Sequence, residues 1–224
     1  MTSATTSTAP AAAPAVRPDA VVASLRSAIL AGDPAPASAV TEAFVATAFD
    51  VARPTARIAI DRLVAEGLLV REPHHAARVR TLDRDDIADL FAARAAIEAA
   101  AVELLAASGG VPDIARDAHS AFEALDADAS YAPADIAFHR ALVQGSPSTR
   151  LPKLHELLMG EIELAIAQVE AHRLRSVAEV TSEHGRILDA VAAGDPAHAG
   201  ALARAHILAS RDRLLAHYDD THRK

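Results

Sequence analysis

Beyond residue 80, apolar residues recur at three- and four-residue intervals through six successive stretches, and no strand-like alternation interrupts them. This interval places the apolar side chains on one face of an α-helix. Thr81 or Asp83 is suited to cap the first helix. Since each helix must bury its apolar face against another, the pattern predicts an all-helical bundle. The stretches, separated mostly by glycines and prolines, lie at about 81–108, 112–127, 131–145, 150–171, 175–193 and 196–217.

Residues 19–80 follow a different order of elements. A first amphipathic helix begins near Asp19 and stops at a GDP sequence, and a second short helix begins near Val40. A third helix runs from about Ala52 to a C-terminal cap at Gly67. Two short segments, LLVRE and ARVRT, then flank a PHHA turn as a β-ribbon. This is the order of a winged helix-turn-helix, whose third helix enters the DNA major groove.

The third helix presents two arginines, Arg53 and Arg57, four residues apart near its N-terminus. A guanidinium group there can bond guanine O6 and N7 or a phosphate, and the positive end of the helix dipole favours an approaching phosphate. Two arginines on an exposed helix face are also ordinary solvated charge, so the DNA interpretation depends on the surrounding elements. The stripe expected to face the core comprises Ala56, Ile60, Leu63 and Val64.

The formal net charge of −8 by itself argues against a nucleic-acid partner. The charges are unevenly distributed, however. Residues 19–80 hold seven arginines and seven acidic residues, whereas residues 81–224 hold 14 basic and 23 acidic residues. The acidity therefore lies in the helical part, and a neutral N-terminal segment with arginines on one face is compatible with double-stranded DNA.

Composition limits the cellular setting and the kind of metal site. The chain has 224 residues, enough for two compact units, and no cysteine, which excludes disulfides and thiolate ligands and is typical of a reducing, cytoplasmic setting. Its apolar runs are too short to span a bilayer. Residues 1–18 are predicted to be a disordered tail and residues 219–224 a C-terminal tail. The predicted domains are residues 19–80 and 81–218.

The stretch DIAFHRAL places a carboxylate and an imidazole one helical turn apart, at Asp135 and His139, on a helix otherwise built for burial. Two further histidines, His184 and His206, occur on strongly amphipathic helices. If all four face inward, three nitrogens and one oxygen can hold a divalent ion and leave coordination positions for water or a ligand. The alternative is that these polar residues satisfy one another in the core without a metal ion.

The segments SLRSAILAG and VTEAFVATAFDVARPTARIAIDRLVAEGLL, with the ribbon after them, resemble the DNA-binding domain of GntR-superfamily transcription factors. The resemblance implies that Arg53, Thr55 and Arg57 contact operator DNA and that His75 lies at the tip of the wing. The chain departs from the family pattern at several positions. Because an alanine replaces the capping serine and Ile58 replaces a glutamate, the operator sequence of relatives does not carry over.

The segments DLFAARAAIEAAA, DIAFHRAL and SEHGRILDAVAAGDPAHAGALARAHI resemble the FCD ligand-binding domain of the FadR subfamily. The resemblance implies a divalent ion, such as zinc, nickel or manganese, that helps to hold a small organic acid. It also implies that Arg94 binds the acid's carboxylate through its planar fork. Alternatively, Arg94 and Glu98 form a surface ion pair. The implied metal ligands are Asp135, His139, His184 and His206.

These features predict a transcriptional regulator, and not an enzyme, that is mostly α: a winged helix-turn-helix domain followed by an FCD-type helical bundle. We expect a homodimeric repressor on a pseudo-palindromic operator, with its DNA affinity controlled by a small carboxylate effector in the metal pocket. Two alternatives remain. Three histidines and an aspartate with open coordination positions can activate water in a metal-dependent hydrolase. In a direct metal sensor, the ion itself is the signal.

Overall fold

The computed structural model describes residues 17–127, 129–169 and 175–223, so the predicted N-terminal tail lies almost wholly outside the described residues. The predicted fold class, a winged helix-turn-helix followed by a helical bundle, is confirmed. The N-terminal unit consists of α1 (Pro18–Leu30), β1 (Ala39–Val40), α2 (Glu42–Ala48), α3 (Arg53–Ala65), β2 (Leu69–Val70) and β3 (Ala77–Val79). The bundle consists of α4 (Arg84–Ser108), α5 (Asp113–Glu123), α6 (Ala132–Gly145), α7 (Leu151–Gln168), α8 (Val177–Ala192) and α9 (Pro196–His222).

In the described part of the chain, the small sheet has three strands and not the two that the sequence predicts. Its order is β1-β3-β2, and both pairs are antiparallel. Val40, expected to begin the second helix, lies in β1 and pairs with Ala77. The helix begins later because the Thr41 hydroxyl accepts a hydrogen bond from the Phe44 amide at 3.1 Å, which makes Thr41 the N-cap of α2.

Helix α3 begins where predicted, after Ala52, but its C-cap is Glu66 and not the predicted Gly67. Its N-cap residue, Ala52, forms no side-chain hydrogen bond, but Pro54 suits the first turn because its missing N–H has no helical partner to lose there. The helix ends before Gly67, whose φ of +78° lies in the left-handed region that favours glycine. The stripe predicted to face the core is buried except for Val64, which is half-buried. The outward face of α3 is therefore the one that carries the arginines.

The long helices α4 and α9 pack along each other in the bundle. Asp83 caps α4, as expected, by accepting hydrogen bonds from the amides two and three residues ahead. Helix α9 continues to His222, so the prediction that residues 219–224 form a tail is wrong for 219–222. An ion pair of 3.1 Å between Arg84 and Asp219 supports this last turn. None of the helices in the described ranges is long and apolar enough to cross a membrane.

The N-terminal unit and the bundle share one apolar core. The same cluster of buried side chains contains residues of α1, α3, α4 and α7. Gly160 of α7 lies directly on the C-terminal end of α3, since a Cβ atom there would lie 1.8 Å from the carbonyl oxygen of Glu66. The Arg26 guanidinium of α1 donates hydrogen bonds to Glu66 at 2.5 Å and to Glu163 of α7 at 3.2 Å. The predicted recognition helix is therefore fixed to α7.

We expect Gly160→Ala to destabilise the protein, because the added methyl group overlaps backbone that moves only if α7 separates from α3. Overpacking of this kind costs about 1–3 kcal/mol. The matched control is Gly185→Ala in α8, where the added Cβ would meet only His119, at 3.8 Å, and alanine favours the helix. Thermal unfolding followed by circular dichroism measures both variants. Wild-type stability in Gly160→Ala would contradict the close contact.

Candidate metal centre and DNA-binding surface

Four side chains from three helices converge inside the bundle. Helix α6 contributes Asp135 and His139, α8 contributes His184 and α9 contributes His206. One nitrogen or oxygen atom from each lies within 4.8 Å of the other three. The four-residue spacing in α6 turns its two side chains to the same face. The structure thus brings together all four residues that the sequence pattern groups as ligands.

The atoms that face one another are ring nitrogens and one carboxylate oxygen. Nε2 of His139 lies 3.2 Å from Nε2 of His206 and 3.7 Å from Oδ1 of Asp135. Nε2 of His184 lies 3.3 Å from the same oxygen. Ligand atoms at about 2.0–2.2 Å from a shared ion lie about 3 Å from one another, which is close to these separations. Three nitrogens and one oxygen form a donor set that suits a divalent ion.

Two carboxylates orient the imidazoles from outside the cluster. Nδ1 of His139 donates to Oε2 of Glu98 at 2.5 Å, and Nδ1 of His206 donates to Oε2 of Glu183 at 2.7 Å. Because each Nδ1 is bonded to a carboxylate, each Nε2 is turned towards the cluster. Glu183 is held in turn by two hydrogen bonds from Arg175, at 2.6 and 2.7 Å.

His184 provides the test of whether a cation fits. The ring is fully buried and stacks on Phe138 with the ring centroids 3.9 Å apart. Neither ring nitrogen forms a hydrogen bond with a described residue. Burial lowers the pKa of His184 to about 3, although the Asp135 carboxylate acts in the opposite direction, so the imidazole is neutral at neutral pH. A buried polar atom without a partner is costly, and a metal ion beside Nε2 would supply the partner.

The charges around the cluster also favour a cation. Burial raises the pKa of Asp135, but the His139 and His184 rings outweigh burial and hold that pKa well below its usual value. Burial lowers the pKa of His139, but Glu98 outweighs it, and the pKa is raised. Burial lowers the pKa of His206. Of the three rings, His139 is therefore the one whose protonated form its surroundings favour, and metal binding would compete with that protonation.

Glu98 of α4 is a central residue of the site that the sequence pattern did not assign. It is fully buried and accepts hydrogen bonds from Arg94 at 2.6 Å, from His155 at 3.0 Å and from His139. Burial raises the pKa of Glu98, but the charges of Arg94 and His139 outweigh it, and the pKa lies well below its usual value. The sequence does contain a signal for its burial, because Glu98 lies four residues before the apolar Val102 and therefore shares its buried helix face.

The ion pair considered as an alternative role for Arg94 exists, but it lies inside the bundle and not on its surface. Nη2 of Arg94 has no hydrogen-bond partner among the described residues, so part of its fork is available. A cavity of about 30 Å³ adjoins the cluster at Asp135 and His206. Arg94 is not on the wall of this cavity, which is lined instead by Arg175 and Arg213 among others.

The side chains predicted to contact DNA lie at the N-terminal end of α3 and in the wing, the turn between β2 and β3. Arg53 is exposed and Thr55 is half-buried. Arg57 is 68% exposed, and its Glu42 and Asp61 neighbours lie 4.0 and 3.9 Å away. A surface groove between α3 and the wing is lined by both Arg57 and the exposed His75. Two of the four predicted residues therefore face one shared surface.

Both units match known proteins. Residues 18–79 match the bacterial regulatory proteins of the gntR family, and residues 89–209 match the FCD domain. The chain is 34% identical over 167 residues to the HTH-type transcriptional repressor GlaR of Escherichia coli strain K12, covering 68% of this chain and 74% of GlaR. A solved GntR transcriptional regulator from Rhodococcus sp. RHA1 is 27% identical, with a TM-score of 0.72 over 89% of this chain and 97% of that chain. E. coli McbR/YncC, 17% identical with a TM-score of 0.65 over 91% and 97% of the two chains, shares the fold.

Proposed function

Because the chain belongs to the gntR family of bacterial regulatory proteins and carries an FCD domain, we propose that it is a repressor whose operator affinity is controlled by a small organic acid bound at a metal ion. The family is one of DNA-binding transcriptional regulators and not of enzymes, which leaves the hydrolase alternative without support. The proposal that an acid binds at a metal ion depends on the four-ligand cluster, in which the nitrogens of buried His184 have no hydrogen-bond partner among the described residues.

In this proposal a divalent ion, with zinc, nickel and manganese as candidates, supplies positive charge and open coordination positions that attract the effector's carboxylate. Glu98 and Glu183 keep two of the imidazoles turned towards it. Nη2 of Arg94 has no partner among the described residues, which supports a role in binding the same acid, although Arg94 does not line the cavity that adjoins the cluster. A change in operator affinity on adding the metal ion alone would instead make the protein a direct metal sensor. The residues that would hold the ion are Asp135, His139, His184 and His206.

For the DNA-binding unit, we propose that Arg53 and Arg57 bond base edges or phosphates and that Thr55 and His75 contact the backbone. The exposure of both arginines at the start of α3 supports this role. A homodimer would place its two α3 helices on half-sites about 34–36 Å apart, one turn of the duplex. Such a regulator would act on the bacterial chromosome in the cytoplasm.

A chain of ion pairs connects the metal-site helix to the DNA-binding unit. Arg140 follows His139 in α6, and its Nη2 lies 2.9 Å from Oε1 of Glu163 in α7. The other oxygen of Glu163 accepts a hydrogen bond from Arg26 of α1 at 3.2 Å. We propose that a shift of α6 on effector binding reaches α1 through Glu163. This requires that the effector bind the two arrangements with different affinities.

We expect Arg57→Ala to weaken operator binding about 5- to 150-fold, because a bidentate base contact contributes about 1–3 kcal/mol. The operator is first obtained by selecting duplexes that the full-length protein binds from a random-sequence library, and fluorescence anisotropy then measures the affinity. The matched control is Arg62→Ala, which removes the same charge from α3 at a side chain that pairs with Asp19 of α1. Equal losses in the two variants, or no loss in Arg57→Ala, would contradict the assignment.

A further inference from the structure

Helix α3 carries an exposed apolar side chain, Ile58, that the proposed function does not use. Ile58 is 44% exposed. The other large apolar side chains of α3 are buried or half-buried, at Ile60, Leu63 and Val64. An exposed isoleucine adds little to the helix, because a β-branched residue is a weaker helix former than a long polar one. Single exposed apolar side chains are common on protein surfaces, so the position of Ile58 in α3 matters more than its exposure.

Ile58 lies on the face of α3 that points away from the core. The stripe of α3 that is buried against the core comprises Ala56, Ala59, Ile60 and Leu63. With 3.6 residues per turn, Ile58 lies about 150° around the helix axis from the centre of this stripe. Pro54, one turn earlier on the same side, is exposed as well. Pro54 and Ile58 therefore form an apolar strip on the outward face, about 6 Å long along the helix axis.

Cations and a neutralised carboxylate surround the apolar strip. Arg53 and Arg57 are exposed, and each directly precedes a residue of the strip. The Asp61 carboxylate, three residues after Ile58, accepts a hydrogen bond from Arg71 at 2.7 Å and lies 3.9 Å from Arg57. Its negative charge is therefore compensated. An apolar strip beside arginines is complementary to a DNA groove, in which base edges lie between two rows of phosphates.

We infer that Ile58 contacts the C5-methyl group of a thymine in each operator half-site, which makes Ile58 a specificity-determining residue. This inference rests on the proposed function, in which α3 enters the major groove of the operator. The thymine methyl is the apolar group that the major groove presents, and it helps to distinguish an A·T pair from the other base pairs. Since successive bases of one strand are about 3.4 Å apart along the helix axis, the strip has the length to cover one or two neighbouring thymines.

Replacing thymine with deoxyuridine tests the inference, because uracil pairs with adenine in the same way and lacks only the C5-methyl group. The probe is a duplex that the full-length protein selects from a random-sequence library. Each of its thymines is replaced in turn, and fluorescence anisotropy measures the affinity. We expect replacement at one or two adjacent thymines of a half-site to weaken binding about 4-fold each, the effect of losing one buried methyl group.

Ile58→Ala should weaken binding to the unmodified duplex about 4-fold or more and should remove the sensitivity to uracil at these positions, because two groups in contact do not act independently. The matched control is Ile114→Ala in α5, which removes the same side chain, at 49% exposure, from the helical bundle. This control should keep both the operator affinity and the sensitivity to uracil. Because both side chains are exposed, neither substitution should lower the thermal stability.

A sensitivity to uracil that survives in Ile58→Ala, or no sensitive thymine in the wild type, would overturn the thymine assignment. Weaker binding by Ile58→Ala without any sensitive thymine would also overturn it and would indicate that Ile58 packs against the sugar-phosphate backbone. Affinity that falls in Arg57→Ala but not in Ile58→Ala supports the proposed function and overturns this inference alone. A protein that selects no duplex contradicts the proposed DNA-binding function, and the inference fails with it.

Discussion

Replacing His184 with alanine is expected to abolish metal binding at neutral pH. His184 is the ligand that α8 contributes to the cluster, and the remaining three donors come from α6 and α9. Its ring nitrogens have no hydrogen-bond partner among the described residues, so the substitution removes a ligand without breaking a described hydrogen bond. Bound metal should fall from about one ion per chain to near zero after dialysis, because the affinity for the ion depends on the complete donor set.

Metal analysis of the dialysed protein measures this loss, and thermal unfolding with and without added zinc provides a second readout. A ligand at 100 times its Kd stabilises the folded state by about 2.7 kcal/mol, an increment expected in the wild type and not in His184→Ala. The matched control is His119→Ala. The ring centroid of His119 lies 6.3 Å from that of His184, but His119 is outside the four-donor set. Full metal retention by His184→Ala would mean that the metal site is elsewhere.

The parts of the fold and site that the sequence predicts are those set by local spacing. Asp135 and His139 share a helix face because they are four residues apart, and α3 ends just before Gly67, whose positive φ does not continue a helix. The missed strand β1 depends on pairing with β3, whose residues lie almost 40 positions later. The last turn of α9 likewise depends on Asp219 meeting Arg84 at the other end of the bundle.

The hydrogen-bond partners outside the four-ligand cluster also depend on contacts between residues that are distant in the sequence. His155 and Glu98 are 57 positions apart, and Glu183 and His206 are 23 apart, so no local pattern joins them. Spacing does place Glu98 on the buried face of α4, and a buried carboxylate requires partners. Which partners it meets is decided by how α4, α6 and α7 pack. The sequence therefore indicates that a buried polar centre exists, but it does not indicate which of its residues form hydrogen bonds with one another.

Replacing Glu98 with alanine is expected to lower the free energy of unfolding by about 3–5 kcal/mol, the cost of breaking a buried ion pair. The substitution leaves the buried Arg94 charge without its carboxylate, and Nη2 of Arg94 already lacks a partner among the described residues. It also removes the shared acceptor of His139 and His155. Glu98→Gln keeps the volume and one carbonyl oxygen, so we expect a smaller loss of stability.

Zinc affinity separates the positioning role of Glu98 from its structural role. Because Glu98 orients His139, Glu98→Gln should weaken zinc binding about 10- to 100-fold while the protein stays folded. Competition with a chelating dye measures the affinity, and urea unfolding measures the stability. Glu103→Ala removes an exposed carboxylate from the same helix and should change the stability by no more than about 0.5 kcal/mol. Unchanged zinc affinity in Glu98→Gln would mean that Glu98 serves only to neutralise Arg94, and that packing against Phe138 orients the His139 ring.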